Sequence, residues 1–151
     1  MKASELMTPD PACITPADSV QDAARMMGSY NVGSLPVVEG ADNKRIVGIV
    51  TDRDLALGVI GEGRFDARVG DVMTPNPSTV RETDDADTVS RLMAEEQIRR
   101  VPVVNERGAV VGMIAQADLA LAESGVTDRT VGQVVERISQ PEGSGPGSTR
   151  A

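Results

Sequence analysis

The chain has 151 residues, a formal net charge of −8 and 40% hydrophobic residues, and its only aromatics are Tyr30 and Phe65. The acidic balance excludes the basic stripe that a nucleic-acid or anionic membrane surface requires. Histidine is absent, which removes Ser-His-Asp and Cys-His nucleophile arrangements and the commonest transition-metal ligand. The carboxylates are scattered over helix starts and loops, so no catalytic residue and no metal site are expected. A single cysteine, Cys13, permits no intrachain disulfide framework. No stretch approaches the roughly 20 apolar residues of a membrane span, and the opening MKASELMTPDPA lacks a signal-peptide core. The expectation is a soluble cytoplasmic protein that contacts neither membrane nor nucleic acid.

In chain order, a short leader ASELMTP precedes an apolar pair, Cys13–Ile14, that follows a Pro-containing turn and predicts a strand. The polar pair Asp18-Ser19 predicts a helix cap. Beyond it Val20, Ala23, Ala24 and Met27 recur at helical spacing. LPVV and IVGIV then read as two strands, joined by the turn GADNKR, in a hairpin. A second helix, DRDLALGVI, closes the unit. Residues 61–68 are the expected linker. A second leader, VGDVMTP, opens the same series again: Thr79–Val80, the cap Asp84-Asp85, helical Val89, Leu92, Met93 and Ile98, then VPVV, VVGMI and QADLALAE. VGQVVERI, at 131–138, echoes the leaders and predicts a terminal helix within 125–139 that covers exposed core. The Gly/Pro/Ser-rich 140–151 predicts a disordered tail.

The duplication is the organising fact. Residues 7–57 align with 73–121 at an offset of 66 through Pro36-Val37-Val38, and of 64 where VGIVTDRDLAL meets VGMIAQADLAL. The two-residue difference falls in the hairpin turns, where length changes cost least. The expected class is therefore α+β, two β-α-β-β-α repeats (1–60 and 69–124). Units of this size are marginal alone, so each should bury its β-face against the other.

The MTP leader, the helix followed by PVV, and the Gly-x-x-Thr-x-x-Asp segment, in this order and twice over, resemble CBS domains, named from cystathionine β-synthase. Two in tandem resemble a Bateman module, and the likeness covers about residues 3–123. VTDRDLAL and RRVPVV further resemble small two-domain proteins of the hypoxic response protein type. The resemblance implies that the repeats pack with pseudo-twofold symmetry, with two clefts between them, frequent pairing of two chains into a homodimer, and no catalysis. It implies an adenosyl ligand, AMP, ADP, ATP or S-adenosyl methionine, whose binding shifts the repeats or the dimer and so signals to an unidentified regulated protein. The alternative is a ligand-free dimerising interaction module. Catalytic cofactors are not expected; such repeats occur in inosine-monophosphate dehydrogenase, but that enzyme's barrel alone exceeds this chain.

The family's ribose and phosphate motif falls on Gly48 to Asp54, with Thr51, Arg53 and Asp54 as candidates. A carboxylate accepts from both ribose hydroxyls, and a helix start offers N–H groups and dipole to a phosphate. The family's base contacts fall on Ala12, Val32 and Gly33 in repeat one, and on Ser78, Ile98 and Arg99 in repeat two. Thr51 and Asp54 also fit a plain capping arrangement, with Thr51 as N-cap and Asp54 in the first turn. Repeat two keeps Asp118 but has Ala115 in place of the threonine, which weakens its cleft for phosphate. Arg99-Arg100 is either a solvated pair or a phosphate clamp. The expectation is one competent cleft, at Thr51 and Asp54, and one weaker. Cys13 reads as a small buried residue rather than a redox switch.

Overall fold

The computed structural model describes residues 1–123. The helix expected within 125–139 and the tail over 140–151 lie outside the described residues. Repeat one contains α1 (Ala3–Leu6), β1 (Thr8–Pro9), α2 (Val20–Tyr30), β2 (Ser34–Val38), β3 (Ile46–Thr51) and α3 (Asp52–Leu55), which runs into a π-helical turn, Ala56–Ile60. Repeat two follows with α4 (Val69–Val72), β4 (Thr74–Pro75), β5 (Val80–Arg81), α5 (Ala86–Glu96), β6 (Arg100–Val104), β7 (Val110–Ala115) and α6 (Gln116–Glu123). The protein is α+β, and its two halves repeat one pattern.

Local chemistry explains the long elements. Ser19 Oγ accepts from the Asp22 amide at 3.0 Å and Asp85 Oδ1 from the Thr88 amide at 2.8 Å, so both expected caps start their helices. α2 and α5 end on Asn31 and Gln97 in the left-handed region, φ 54° and 55°, the conformation that halts a helix. The hairpins β2–β3 and β6–β7 carry irregular registers at matching places, Val37/Val38 and Val103/Val104.

The first strand differs between repeats. Val80–Arg81 pairs in parallel with Val103–Val104, but Ile14 makes only an isolated parallel bridge to Val37. Pro16 stands where repeat two has Glu82, and a proline nitrogen has no hydrogen to extend the ladder.

The leaders cross. β1 pairs with β7 and β4 with β3, so each leader strand edges the other repeat's sheet, giving the orders β1-β7-β6-β5 and β2-β3-β4. The short helices cross too. Ala3 donates to the Asp84 carbonyl at 2.7 Å, and Val69 to the Asp18 carbonyl at 2.8 Å. Two aliphatic cores result. One joins Ile14, Ala23, Met27, Leu35, Val37 and Val50 to Val69; the other joins Val80, Val89, Met93, Val101, Val103 and Ile114 to Ala3. The leading residues are the crossed ones. The expected union by face burial thus has a hydrogen-bonded component along strand edges, with Ile46 donating to Gly108 at 3.1 Å and Val110 to Lys44 at 2.9 Å.

Met73 and Met7, one per leader, lie on the backbones of Gly48 and Gly112. A Cβ on Gly48 would stand 2.5 Å from Met73 Sδ and 3.0 Å from the Thr74 carbonyl, and one on Gly112 would collide with Met7. Gly48→Ala and Gly112→Ala are expected to destabilise by about 1–3 kcal/mol through overpacking. Gly28, on the exposed face of α2 with no atom near its missing Cβ, should behave oppositely. Gly28→Ala should gain about 0.5–1 kcal/mol from helix propensity. Urea unfolding of the three variants checks both signs.

Candidate functional site: a cleft between the repeats

The β6–β7 ladder sets the site. Arg100, first residue of β6, is register partner to Ala115, last of β7, so its side chain starts beside the entry to α6. Across the gap Gly33 offers only backbone. A Cβ there would stand 3.1 Å from both Arg100 Nη2 and Asp52 Oδ2; the guanidinium of repeat two therefore lies directly against repeat one. The pseudo-symmetric partner of Arg100 is Ser34, which is buried.

Around this contact opens a cleft of about 500 Å³, lined by Ala12, Val32 and Gly33 from repeat one and Arg100, Ala115 and Asp118 from repeat two. That volume falls in the range of small-molecule sites. Asp118 Oδ2 accepts from the Ala115 amide at 2.8 Å. Burial pushes the Asp118 carboxyl above the usual aspartate range, and that amide bond pulls against it. Its second oxygen has no protein hydrogen bond among those of the described residues and can accept from a ligand. Ala117 stands where repeat one has Arg53, which leaves this wall low.

The candidates thus divide. Ala12, Val32, Gly33, Arg100 and Asp118 come together; Thr51, Arg53, Asp54, Ser78, Ile98 and Arg99 do not line this cleft. Thr51 and Asp54 form a reciprocal capping box, Asp54 amide to Thr51 Oγ1 at 3.1 Å and Thr51 amide to Asp54 Oδ2 at 2.9 Å. Each group retains hydrogen-bonding capacity, so a cap and a ligand are compatible. Ile98 is half-buried against the repeat-two core. Arg53 and Arg99 are exposed, and the Arg99 carbonyl accepts from Gln116 at 2.8 Å. Ala115 removes the hydroxyl partner of the cap but leaves the Asp118 bond to the strand end intact.

Three lining residues, Asp10, Tyr30 and Asn31, were not singled out from the sequence. Asp10 sits at φ 48°, like its counterpart Asn76, and the Asp/Asn alternation in MTPDP and MTPNP was a legible sign of that geometry. Tyr30 is the sole tyrosine and is 62% exposed at the cleft edge. Cys13 is half-buried and its Sγ donates to the Pro11 carbonyl at 3.3 Å. Burial raises its pKa while nearby Lys44 lowers it, which suits an unreactive thiol. Another depression of about 480 Å³, among Arg81, Glu82, Glu106 and Arg107, mixes exposed charges of both signs and gathers none of the candidates. Among the described residues no three His, Cys, Asp or Glu side chains are placed to share a metal ion.

Comparison with known proteins agrees with this architecture. The CBS domain model matches residues 3–61 and 69–125. YlbB of Bacillus subtilis is 39% identical over 140 residues, 92% of each chain. Among solved structures, CBSX2 of Arabidopsis thaliana, in complex with AMP, superposes with a TM-score of 0.70 at 31% identity, covering 82% of this chain and 96% of that one. Hypoxic Response Protein I, with two coordinated zinc ions, gives 0.70 at 28% identity over 80% and 97%. The CBS domain pair of MJ0100, with 5′-methylthioadenosine and S-adenosyl-L-methionine, gives 0.72 at 26% over 83% and 97%. The chain belongs to the CBS-domain family, with two such domains in tandem as in CBSX2 and Hypoxic Response Protein I.

Proposed function

We propose that the chain is a non-catalytic regulatory module that takes an adenosyl ligand in the cleft between Arg100 and Asp118 on one side and Ala12, Val32 and Gly33 on the other. The observation that carries the reading is the meeting in one cavity of a half-buried carboxylate, an exposed guanidinium and an aliphatic wall drawn from both repeats. The adenine lies against the aliphatic side chains and the ribose hydroxyls donate to Asp118. A phosphate is held by Arg100, whose planar fork suits it. The AMP bound by CBSX2 and the methylthioadenosine and S-adenosyl-L-methionine bound by MJ0100 support the ligand class. AMP, ADP, ATP and S-adenosyl methionine are the compounds to titrate. The Thr51 motif, with Arg53, Asp54, Ser78, Ile98 and Arg99, forms the pseudo-symmetric second site. Because both repeats wall the cleft, a ligand that favours a closed form shifts their relative position, and a regulated protein reads that shift.

Thermal-shift and calorimetric titration test this, since a ligand that binds only the folded chain raises its melting temperature. Arg100→Ala is expected to cost AMP about tenfold in affinity, the worth of one charge-assisted hydrogen bond, and to leave adenosine unchanged. Asp118→Ala should abolish binding of both. Flat titrations at millimolar concentrations of every adenosyl compound would leave the ligand-free interaction module as the better account.

The raised Asp118 carboxyl predicts a pH dependence. Ribose hydroxyls donate to the ionised form, so the bound state lowers a pKa that burial raises. Affinity is therefore weakest in acid, increases as pH rises through the free protein's value, and levels above it. Adenosine is the probe, having no phosphate to titrate; Asp118→Asn should flatten the profile, and a flat profile in the unmodified protein, or a pH dependence that persists in Asp118→Asn, would contradict the assignment.

The partner assigned to the far surface is a second copy. Leu57, Ile60 and Phe65 are 59%, 68% and 68% exposed beside an apolar groove of Val20, Leu55 and Val59, and clustered exposure of this kind marks an interface. Ile60→Glu with Phe65→Glu should convert a dimer to a monomer in sedimentation velocity. The location assigned is the cytoplasm, in keeping with one cysteine and with no described helix long and apolar enough to cross a membrane.

A further inference from the structure

Two backbone bonds at the joint of the repeats are made alike and carry different side chains. The Asp52 amide donates to the Gly33 carbonyl at 2.9 Å, and the Gln116 amide donates to the Arg99 carbonyl at 2.8 Å. Asp52 and Gln116 open α3 and α6, while Ser34 and Arg100 open β2 and β6. Gly33, Ser34 and Asp52 in repeat one thus answer to Arg99, Arg100 and Gln116 in repeat two.

The Asp52 carboxylate is held at one oxygen and directed by the other. Oδ1 accepts from the Arg53 amide at 2.8 Å. A Cβ on Gly33 would stand 3.1 Å from Asp52 Oδ2 and 3.1 Å from Arg100 Nη2, so those two atoms lie within twice that distance of each other. They make no direct ion pair; among the described residues Arg25 and Asp22 do. Opposite charges so placed still attract, and because both groups are exposed the attraction is modest and screened. Arg100 lines the cleft, whereas Asp52 does not. The guanidinium therefore faces the cleft on one side and a protein carboxylate on the other, and the missing side chain of Gly33 lets them share that space. Ser34 and Gln116, the matching residues across the joint, are both neutral, so this opposed pair belongs to one side only.

We propose that Asp52 is a specificity-determining residue that acts on the ligand through Arg100. It restrains the guanidinium from outside the cleft and limits how much negative charge the cleft accepts at the ribose 5′ end. A neutral or cationic 5′ group leaves the pair as it stands. Each phosphate must draw Arg100 from Asp52 and approach a like charge. The inference rests on the reading above only in placing the phosphate at Arg100.

Calorimetry of full-length Asp52→Asn with adenosine, AMP and ATP tests this. The carboxamide oxygen can still accept from the Arg53 amide, so the substitution removes the charge and keeps the bond. AMP should bind about fivefold more tightly, the upper worth of one exposed charge pair, ATP should gain at least as much, and adenosine should stay within about twofold. The gain should vanish in about 1 M salt, where charges are screened within a few ångströms. A charge lost from the first turn of α3 also weakens that helix, but this affects adenosine and AMP alike and leaves their ratio unmoved. In an Arg100→Ala background Asp52→Asn should change AMP affinity by less than about twofold. An AMP-to-adenosine preference that stays level or falls, a gain indifferent to salt, or an equal gain without Arg100 would overturn the proposal. Inorganic pyrophosphate, followed by NMR on the Arg100 guanidinium, separates this failure from that of the adenosyl reading. Should no adenosyl compound bind, tighter pyrophosphate binding in Asp52→Asn still supports the role of Asp52; equal binding, or none, overturns it.

Discussion

The structure depends on a thioether lying against a glycine. Met7 packs on Gly112 and Met73 on Gly48, and these contacts clamp each leader to the sheet of the other repeat. Methionine suits the position because an unbranched, polarizable chain can follow a flat stretch of backbone. Everything at the joint follows from that approach. It brings β1 and β4 within hydrogen-bonding distance of β7 and β3. It also carries Ala3 and Val69 into cores that their own repeats could not otherwise complete. With two aromatic residues in the whole chain, neither core has a large ring to compensate for a missing aliphatic side chain.

The same crossing shapes the cleft. Pro9 and Asp10, at the end of the first leader, reach the lip of the cavity because β1 runs along β7, whose far end leads into α6 and Asp118. Repeat one thus contributes to the site through its leader as well as through Ala12, Val32 and Gly33. The duplication has been divided between two duties. Repeat one has the reciprocal Thr51–Asp54 box; repeat two keeps the carboxylate and its backbone donor, has Ala115 for the threonine, and adds an arginine laid over a bare glycine. The two pseudo-symmetric positions thus differ in charge, Arg100 answering to Ser34.

Much of this was legible in the residues. The offsets of 66 and 64 set out the correspondence of the two cores, Ile14 with Val80 and Val50 with Ile114; the caps Ser19 and Asp85 stand where the polar pairs placed them, and Thr51 caps the helix that carries Asp54. The crossing was not legible. VGDV and ASEL carry apolar positions that fit either slot, and their backbone bonds are alike, so only the path of the chain in space decides which repeat each serves. The shrunken first strand could have been foreseen from Pro16. The orientation of Arg100 could not, since it follows from a register and from the space at Gly33, which is a property of two segments far apart in sequence. Assignment of Arg100 to the Asp118 side therefore required coordinates, whereas assignment of Asp118 itself required only the repeat.

The crossed leaders also impose an order on synthesis. The core of repeat one lacks its last piece until Val69 has been made, a short wait of local chain. Residues 2–7 emerge well before the groove that receives them, which is not complete until Gly112 and Ile114 exist. That is a loop of nearly the whole described chain, and closure over such a separation is slow. During elongation Ala3, Leu6 and Met7 remain apolar side chains without a destination, on a nascent chain whose first half is already able to pack. Residues 2–7, made before every element they pack on, are thus among the last to find their place.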